Sequence, residues 1–302
     1  MDGVLVVDKP EGLTSHDVVA VARRALRESR IGHTGTLDPL ATGVLPLAIG
    51  RATRLVRFLS ASDKDYEATI RFGFTTDTYD IAGTETSRSG LQPDRDAVLR
   101  ALAALSGEYL QTPPAFSAKK VAGHRAYNLA RAARGVPGAP PSPDGPARPV
   151  VELTPVPVTV TRVELLSFEG TIARVAMTCS AGFYVRSFAH SMGALVGTGA
   201  CLEALRRTRS GDFGLGSSVT VEDLQIRPAL VDERVVPLDR LLERFPAVAV
   251  DDQERKQVSR GQDVHASVGA PWVRLLDAQG HLIALGRPGA RPGSLHPTVV
   301  LI

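Results

Sequence analysis

Between Asp65 and Phe74 the chain reads DYEATIRFGF, an alternation that only an extended strand satisfies. Tyr66, Ala68, Ile70, Phe72 and Phe74 fall on one face, with Glu67, Thr69 and Arg71 opposite, as expected of a sheet buried on one side. GVLVV near the start and TIARVAMTCS further on read as two more strands. Helical spacing supplies the cover such strands need. Ser15 caps a helix through about Ser29, with Val18, Ala22, Ala25 and Leu26 on one face. PDRDAVLRALAALSG predicts a helix begun by Pro93 and ended near Gly107. After the turn AGF, a third helix carries Val185, Phe188, Ala189, Met192, Leu195 and Val196 at helical spacing. Strands and helices are mixed along the chain.

Two breaks divide it. GVPGAPPSPDGPARP, residues 135–149, holds six prolines and cannot be regular structure, so a surface loop is expected there. The second break is RFPA, residues 244–247. Beyond it, short apolar runs alternate with turns such as RGQDV and GRPGARPG, which predicts a small all-β module.

With 35 basic and 32 acidic residues the net charge is only +3, so any basic surface must come from local clustering. From Gln111 to Gly135 there is no acid, while Lys119, Lys120, His124, Arg125, Arg131 and Arg134 stand beside Phe116 and Tyr127. A solvated face usually mixes signs; this span suits phosphates and bases. Arg51, Arg54 and Arg57 repeat at helical spacing, and LRRTRSG at 205–211 adds another cluster. GxxxxGK[ST], HExxH, GxSxG and Cys/His clusters are missing, and the two cysteines, Cys179 and Cys201, form no CxxC pair. No cofactor, metal or disulfide is therefore expected. MDGVLVVDKPEG lacks a signal-peptide pattern, and no window approaches the ~18 apolar residues of a membrane helix, so a soluble cytoplasmic protein is expected.

RIGHTGTLDPLATGVLPLAIGRATRL, residues 30–55, isolates one carboxylate, Asp38, among glycine turns and arginines. Gly32, Gly35 and Gly43 permit positive φ or close backbone approach. By spacing alone, Asp38 reads as a turn-forming Asp-Pro and His33 as a loop histidine. The segment nevertheless resembles the signature of the TruB family of tRNA pseudouridine-55 synthases. So do VLVVDKPEGLTSHDVV, SDKDYEATIRFGFTTDTYDIAG, TPPAFSAKKVAGHRAYNLAR, CSAGFYVRSFAHSMG and LRRTRSGDF, in order, from residue 3 to about 225. The tail resembles the family's small PUA-type module, mainly through SRGQDV and its glycine–proline turns.

The resemblance implies an α+β fold. Residues 1–244 would form a catalytic domain with a mixed, mainly antiparallel sheet flanked by helices, carrying an RNA-binding insertion at about 111–149. Residues 245–302 would form a β-rich PUA-like RNA-binding domain. It implies that Asp38 is catalytic and that Tyr66 packs against the target base. Arg186 would pair with the catalytic carboxylate, His33 would help hold a flipped-out RNA loop, and Leu205 would line the pocket. Tyr184 and Asp80 also fall on family positions. Arg186 stands one step off its helix's apolar stripe, so it need not be buried with Val185. Lys119, Lys120 and Arg125 are the expected RNA contacts, with Lys119 standing where the family has a leucine; the proline-rich run, 136–147, is longer than the family's. The implied reaction breaks the N1–C1′ bond of uridine and joins C5 to C1′, needs no cofactor, and leaves Asp38 free to act at C1′ or at C6. The expected partner is the T-arm of tRNA, with no protein partner required, no membrane, and a monomeric enzyme. Two rivals are a non-catalytic RNA-binding or RNA-folding protein and a guide-RNA-dependent synthase of the dyskerin type. A glycosidase would need a second carboxylate that the spacing does not place.

Overall fold

Val4 to Val7 are wholly inaccessible to solvent, and a run so evenly apolar suits a strand covered on both faces. This is β1 (Gly3–Lys9) in a computed structural model that describes residues 1–115, 120–121, 124–125, 154–266 and 268–302. The described chain divides into two compact units, residues 1–62 with 210–302, and residues 63–209.

In the first unit β1 leads to α1 (Ser15–Leu26), β2 (Ile31–His33) and β3 (Ala41–Ile49). β1 and β3 are antiparallel, with Gly3 opposite Ile49 and Lys9 opposite Gly43. The cap of α1 is Thr14, not Ser15: Thr14 and Asp17 form a reciprocal capping box, worth about 1 kcal/mol, and Ser15 is the first helical residue. The helix stops at Leu26, short of Ser29, because Arg27 turns left-handed at φ 51°. A 3₁₀ turn (Gly50–Leu55) runs into α2 (Val56–Ser60).

The second unit begins with β4 (Lys64–Phe72), whose even-numbered residues are buried as expected. Gly73, at φ 104°, ends the strand. Phe74 therefore leaves the apolar face and starts β5 (Phe74–Thr76), a hairpin with β6 (Glu85–Arg88). α3 (Arg95–Ala104) is capped by Asp94, whose carboxylate accepts from Ala97 N–H, rather than begun by Pro93. β7 (Gly107–Gln111) follows, then a short backbone pair, β8 (Lys120–Val121) with β9 (His124–Arg125). β10 (Val156–Glu169), β11 (Ile172–Cys179), α4 (Val185–Val196) and β12 (Ala200–Ser210) complete it. The strands lie in the order β12-β4-β11-β10-β7, and α4 packs on β4. Gly193 lets α4 press onto the next segment: a Cβ there would stand 2.0 Å from the Ala200 nitrogen. Phe188, Ala189 and Met192 of α4 are buried, but Leu195 is exposed, off the expected stripe.

From Ser210 the chain returns to the first unit through β13 (Phe213–Gly214) and β14 (Val219–Thr220), which pairs parallel to β1. α5 (Val221–Ile226) packs on α1; α6 (Pro228–Arg234) and β15 (Val236–Pro237) come next. The tail forms a five-stranded sheet from β16 (Ala247–Ala249), β17 (Val264–His265), β18 (Val273–Leu276), β19 (Leu282–Pro288) and β20 (Ser294–Val300), ordered β16-β18-β19-β20-β17. It is not all-β: α7 (Asp252–Ser259) follows β16, started by an Asp251–Glu254 capping box. Its only buried residue is Val258, so no apolar period announced it. No helix among the described residues is long and apolar enough to cross a membrane.

Candidate active site

Asp38 lies half-buried in the loop between β2 and β3. Two neighbouring segments brace that loop. The wholly buried Lys9 donates to the carbonyls of Pro10 (2.8 Å), Leu13 (2.7 Å) and Pro39 (3.4 Å), and Gly12 N–H adds a bond to Pro39 O at 2.8 Å. The Ser15 hydroxyl accepts from Leu37 N–H at 2.8 Å and donates to Leu37 O at 3.1 Å. Asp38 O accepts from Ala41 N–H, which closes a turn across Pro39. Backbone groups on both sides of Asp38 are thus fixed, while its side chain remains partly open to solvent. His33 is half-buried, its ring edge-on to His16 at 5.4 Å. The sequence showed Lys9 only as part of a motif and Ser15 as a helix cap; their bracing role needs the fold.

The remaining site candidates belong to residues 63–209. Tyr66 is buried on β4 opposite Met177, and Leu205 is buried on the adjacent β12. Tyr184, half-buried, precedes α4; the side chain of Gln111 accepts from its N–H at 2.8 Å and donates to its carbonyl at 3.1 Å. Sequence reading missed Gln111, which sits on a different strand. Arg186 is only 6% exposed, so the expectation that it could stay out of the core fails. Its Nη1 lies 3.7 Å from Asp80 Oδ2 and donates to Thr78 O at 3.1 Å. Asp80, also buried, accepts from Thr78 Oγ1 at 2.7 Å and from Ala82 N–H at 3.1 Å. Between these, Tyr79 takes a left-handed φ of 64° and stacks on His190 at 3.9 Å. Burial holds the His190 imidazole below its ordinary pKa.

Around Tyr66 the unit is strongly cationic. Lys64 precedes it on the same strand face, and Arg207 follows Leu205 on β12; both are buried. Burial, and then the Arg207 charge, pull the Lys64 ammonium down to about 8. Burial pushes the Cys179 thiol, opposite Lys64, up to about 12, which makes it an inert core group. Asp65 accepts from Arg209 Nε at 2.6 Å and Nη2 at 2.8 Å; burial would raise its pKa, but these bonds outweigh it and hold the carboxyl below its usual range. Lys119 lies outside the described residues. Lys120 and Arg125 are described as backbone partners in the β8–β9 pair, and their side chains lie outside the description. Among the described residues no group of three His, Cys, Asp or Glu side chains could hold a metal ion.

This arrangement offers a braced, ionisable carboxylate and, in the other unit, a buried aromatic–aliphatic pair flanked by fixed cations. Two family profiles match the chain. The TruB family pseudouridylate synthase N-terminal domain covers residues 23–143, and the tRNA pseudouridylate synthase B C-terminal domain covers 186–243. A curated protein of Solibacter usitatus named tRNA pseudouridine synthase B is 44% identical over the whole of both chains. The chain belongs to the TruB family. It is therefore a pseudouridine synthase, an isomerase. A second TruB relative, from Aromatoleum aromaticum, is 39% identical, covering 98% of this chain and 92% of that one. Among solved structures, a chain of a Cbf5–Nop10–Gar1 complex aligns with a TM-score of 0.72 at 25% identity over 100% of this chain and 85% of that one. A chain of an H/ACA RNP bound to a substrate RNA gives 0.70 at 24% identity, a likeness of fold.

Proposed function

We propose that this TruB-family chain isomerises uridine to pseudouridine in tRNA, at uridine 55 of the T-loop, with Asp38 as its catalytic group. The observation that carries the reading is the full-length 44% identity to a protein named tRNA pseudouridine synthase B, a match that takes in the Asp38 loop. Supporting it, the loop backbone is tied to Lys9 at Pro39 and to Ser15 at Leu37 while the carboxylate stays partly exposed. A carboxylate can act at an electron-poor C1′ or at C6 of the base, and neither route consumes a cofactor. The uridine must first leave its stack, at a cost of a few kcal/mol. His33 stabilises the flipped loop, Tyr66 and Leu205 line the uridine pocket, and Tyr184 and Arg186 complete the substrate-binding set. Lys119, Lys120 and Arg125 contact phosphates, and residues 245–302 act as the RNA-binding module of a monomer that works without a protein partner.

Incubation of purified protein with unmodified tRNA, followed by mapping of modified positions, tests the function and its site. Asp38→Asn is expected to abolish turnover while tRNA affinity stays within about twofold; near-normal turnover would remove Asp38 from the chemistry. A double-mutant cycle over Asp38 and Arg186 tests the pairing that the family resemblance implies. Modification by the lone protein also separates this reading from a guide-dependent enzyme.

A further inference from the structure

We propose that Arg57 and Arg287, gathered on Trp272, form a second seat for the RNA backbone, built from residues outside the Asp38 loop. Arg51, Arg54 and Arg57 stand three apart on the helical segment 50–60, and their surroundings differ step by step. Arg51 is committed to Asp2 and to Leu301 O (2.6 Å), and Arg54 to Val300 O (2.5 Å). Arg57, exposed, makes no hydrogen bond or ion pair among the described residues; its guanidinium lies over the rings of Phe58 (4.6 Å) and Trp272 (5.1 Å). From β19, the exposed Arg287 brings a second guanidinium over the same indole at 5.4 Å, again with no carboxylate partner among the described residues. The platform is rigid: Trp272 meets Phe58 edge-to-face at 4.6 Å, and both pack against the apolar cluster around Leu55 and Leu285.

One arginine lying over a tryptophan is ordinary cover for an apolar ring. Two are different. Like charges sharing one indole repel, and a cation–π contact at an exposed site is too weak to offset much repulsion. An anion relieves it, and guanidinium forks match phosphate oxygens. Stacking has already restricted both side chains, so less ordering is lost when the anion arrives. A phosphodiester backbone that must dock for the reaction is the occupant this chemistry favours over an acidic protein. The proposal rests on the reading of RNA as substrate.

The test measures equilibrium binding of unmodified tRNA over a range of potassium chloride concentrations for wild type, R57Q/R287Q and a control, R95Q/R100Q. The control removes the same charge from exposed positions of α3 in the other unit. R57Q/R287Q is expected to weaken binding severalfold and to reduce the log–log salt slope by about 0.9 for each phosphate no longer neutralised. The control should shift it less, and R57K/R287K should keep most of the slope. If wild type modifies tRNA while R57Q/R287Q binds it with the wild-type affinity and slope, the seat is overturned, leaving a solvated face or a dock for an acidic protein. If wild type neither binds nor modifies tRNA, the functional reading itself has failed, which is a separate result.

Discussion

Arg186, buried at the start of α4, meets Asp80 Oδ2 at 3.7 Å and donates to Thr78 O at 3.1 Å. Its position off the apolar stripe of α4 was legible, and the inference that it could stay exposed was reasonable. The structure buries it because Asp80 and Thr78, more than a hundred positions earlier, bring a carboxylate and a carbonyl to meet it. Asp80→Asn takes the negative charge away from that buried guanidinium and weakens the turn at Thr78–Ala82. A loss of about 3 kcal/mol in urea unfolding is expected, and a loss below about 1 kcal/mol would show the pair to be incidental. Lys64 makes a second test. Between its folded value of about 8 and an unfolded value near 10.5, the unfolded chain holds a proton that the folded chain has released. The cost of burying the ammonium is therefore fully present below about pH 8 and fades as pH rises toward 10.5. Against Lys64→Met, which removes the group, wild type should gain stability across that window. A constant difference between the two unfolding curves would exclude this titration.

At the scale of elements, sequence patterning located β1, β4, β11, α1, α3 and α4, and errors within them fell where a single residue overrode the pattern. Gly73 sits inside an alternating run and was read through, yet its positive φ stops β4 at Phe72. Thr14 and Asp17 spell a capping box that was available in the sequence, and the adjacent Ser15 obscured it. α7 shows no apolar stripe at all, so only its Asp251–Glu254 box could have disclosed it. The Asp38 loop is an element of another kind, tied at Pro39 O to a Lys9 ammonium that also gathers the Pro10 and Leu13 carbonyls, rather than held by a ladder. Lys9→Met keeps the stem and removes the donors. A fall in kcat of about 100-fold with tRNA affinity little changed is expected, since small displacements of a reacting group cost that much. If binding and turnover fell together, the lysine would be supporting the whole unit rather than the loop.

For the whole molecule, patterning gave a mixture of strands and helices and a break at residues 244–247, and the family resemblance supplied the α+β class. They did not show that the first 62 residues and the last stretch of chain share one unit, because such grouping depends on pairings hundreds of positions apart. Arg51, from the 3₁₀ turn, reaches Leu301 O across 250 positions. Arg51→Met should therefore speed amide hydrogen exchange in β20 as well as around Asp2; protection of β20 equal to wild type would mean that apolar packing alone holds the tail. Because residues 63–209 are contiguous, they can assemble while the ribosome is still working, whereas β1 waits for β14 and β15. At the usual pace of synthesis that delay is roughly ten to fifty seconds. The segment bearing Asp38 thus emerges early and is completed late, and a nascent chain would spend that interval with an apolar β1 in want of its neighbours and within reach of chaperones.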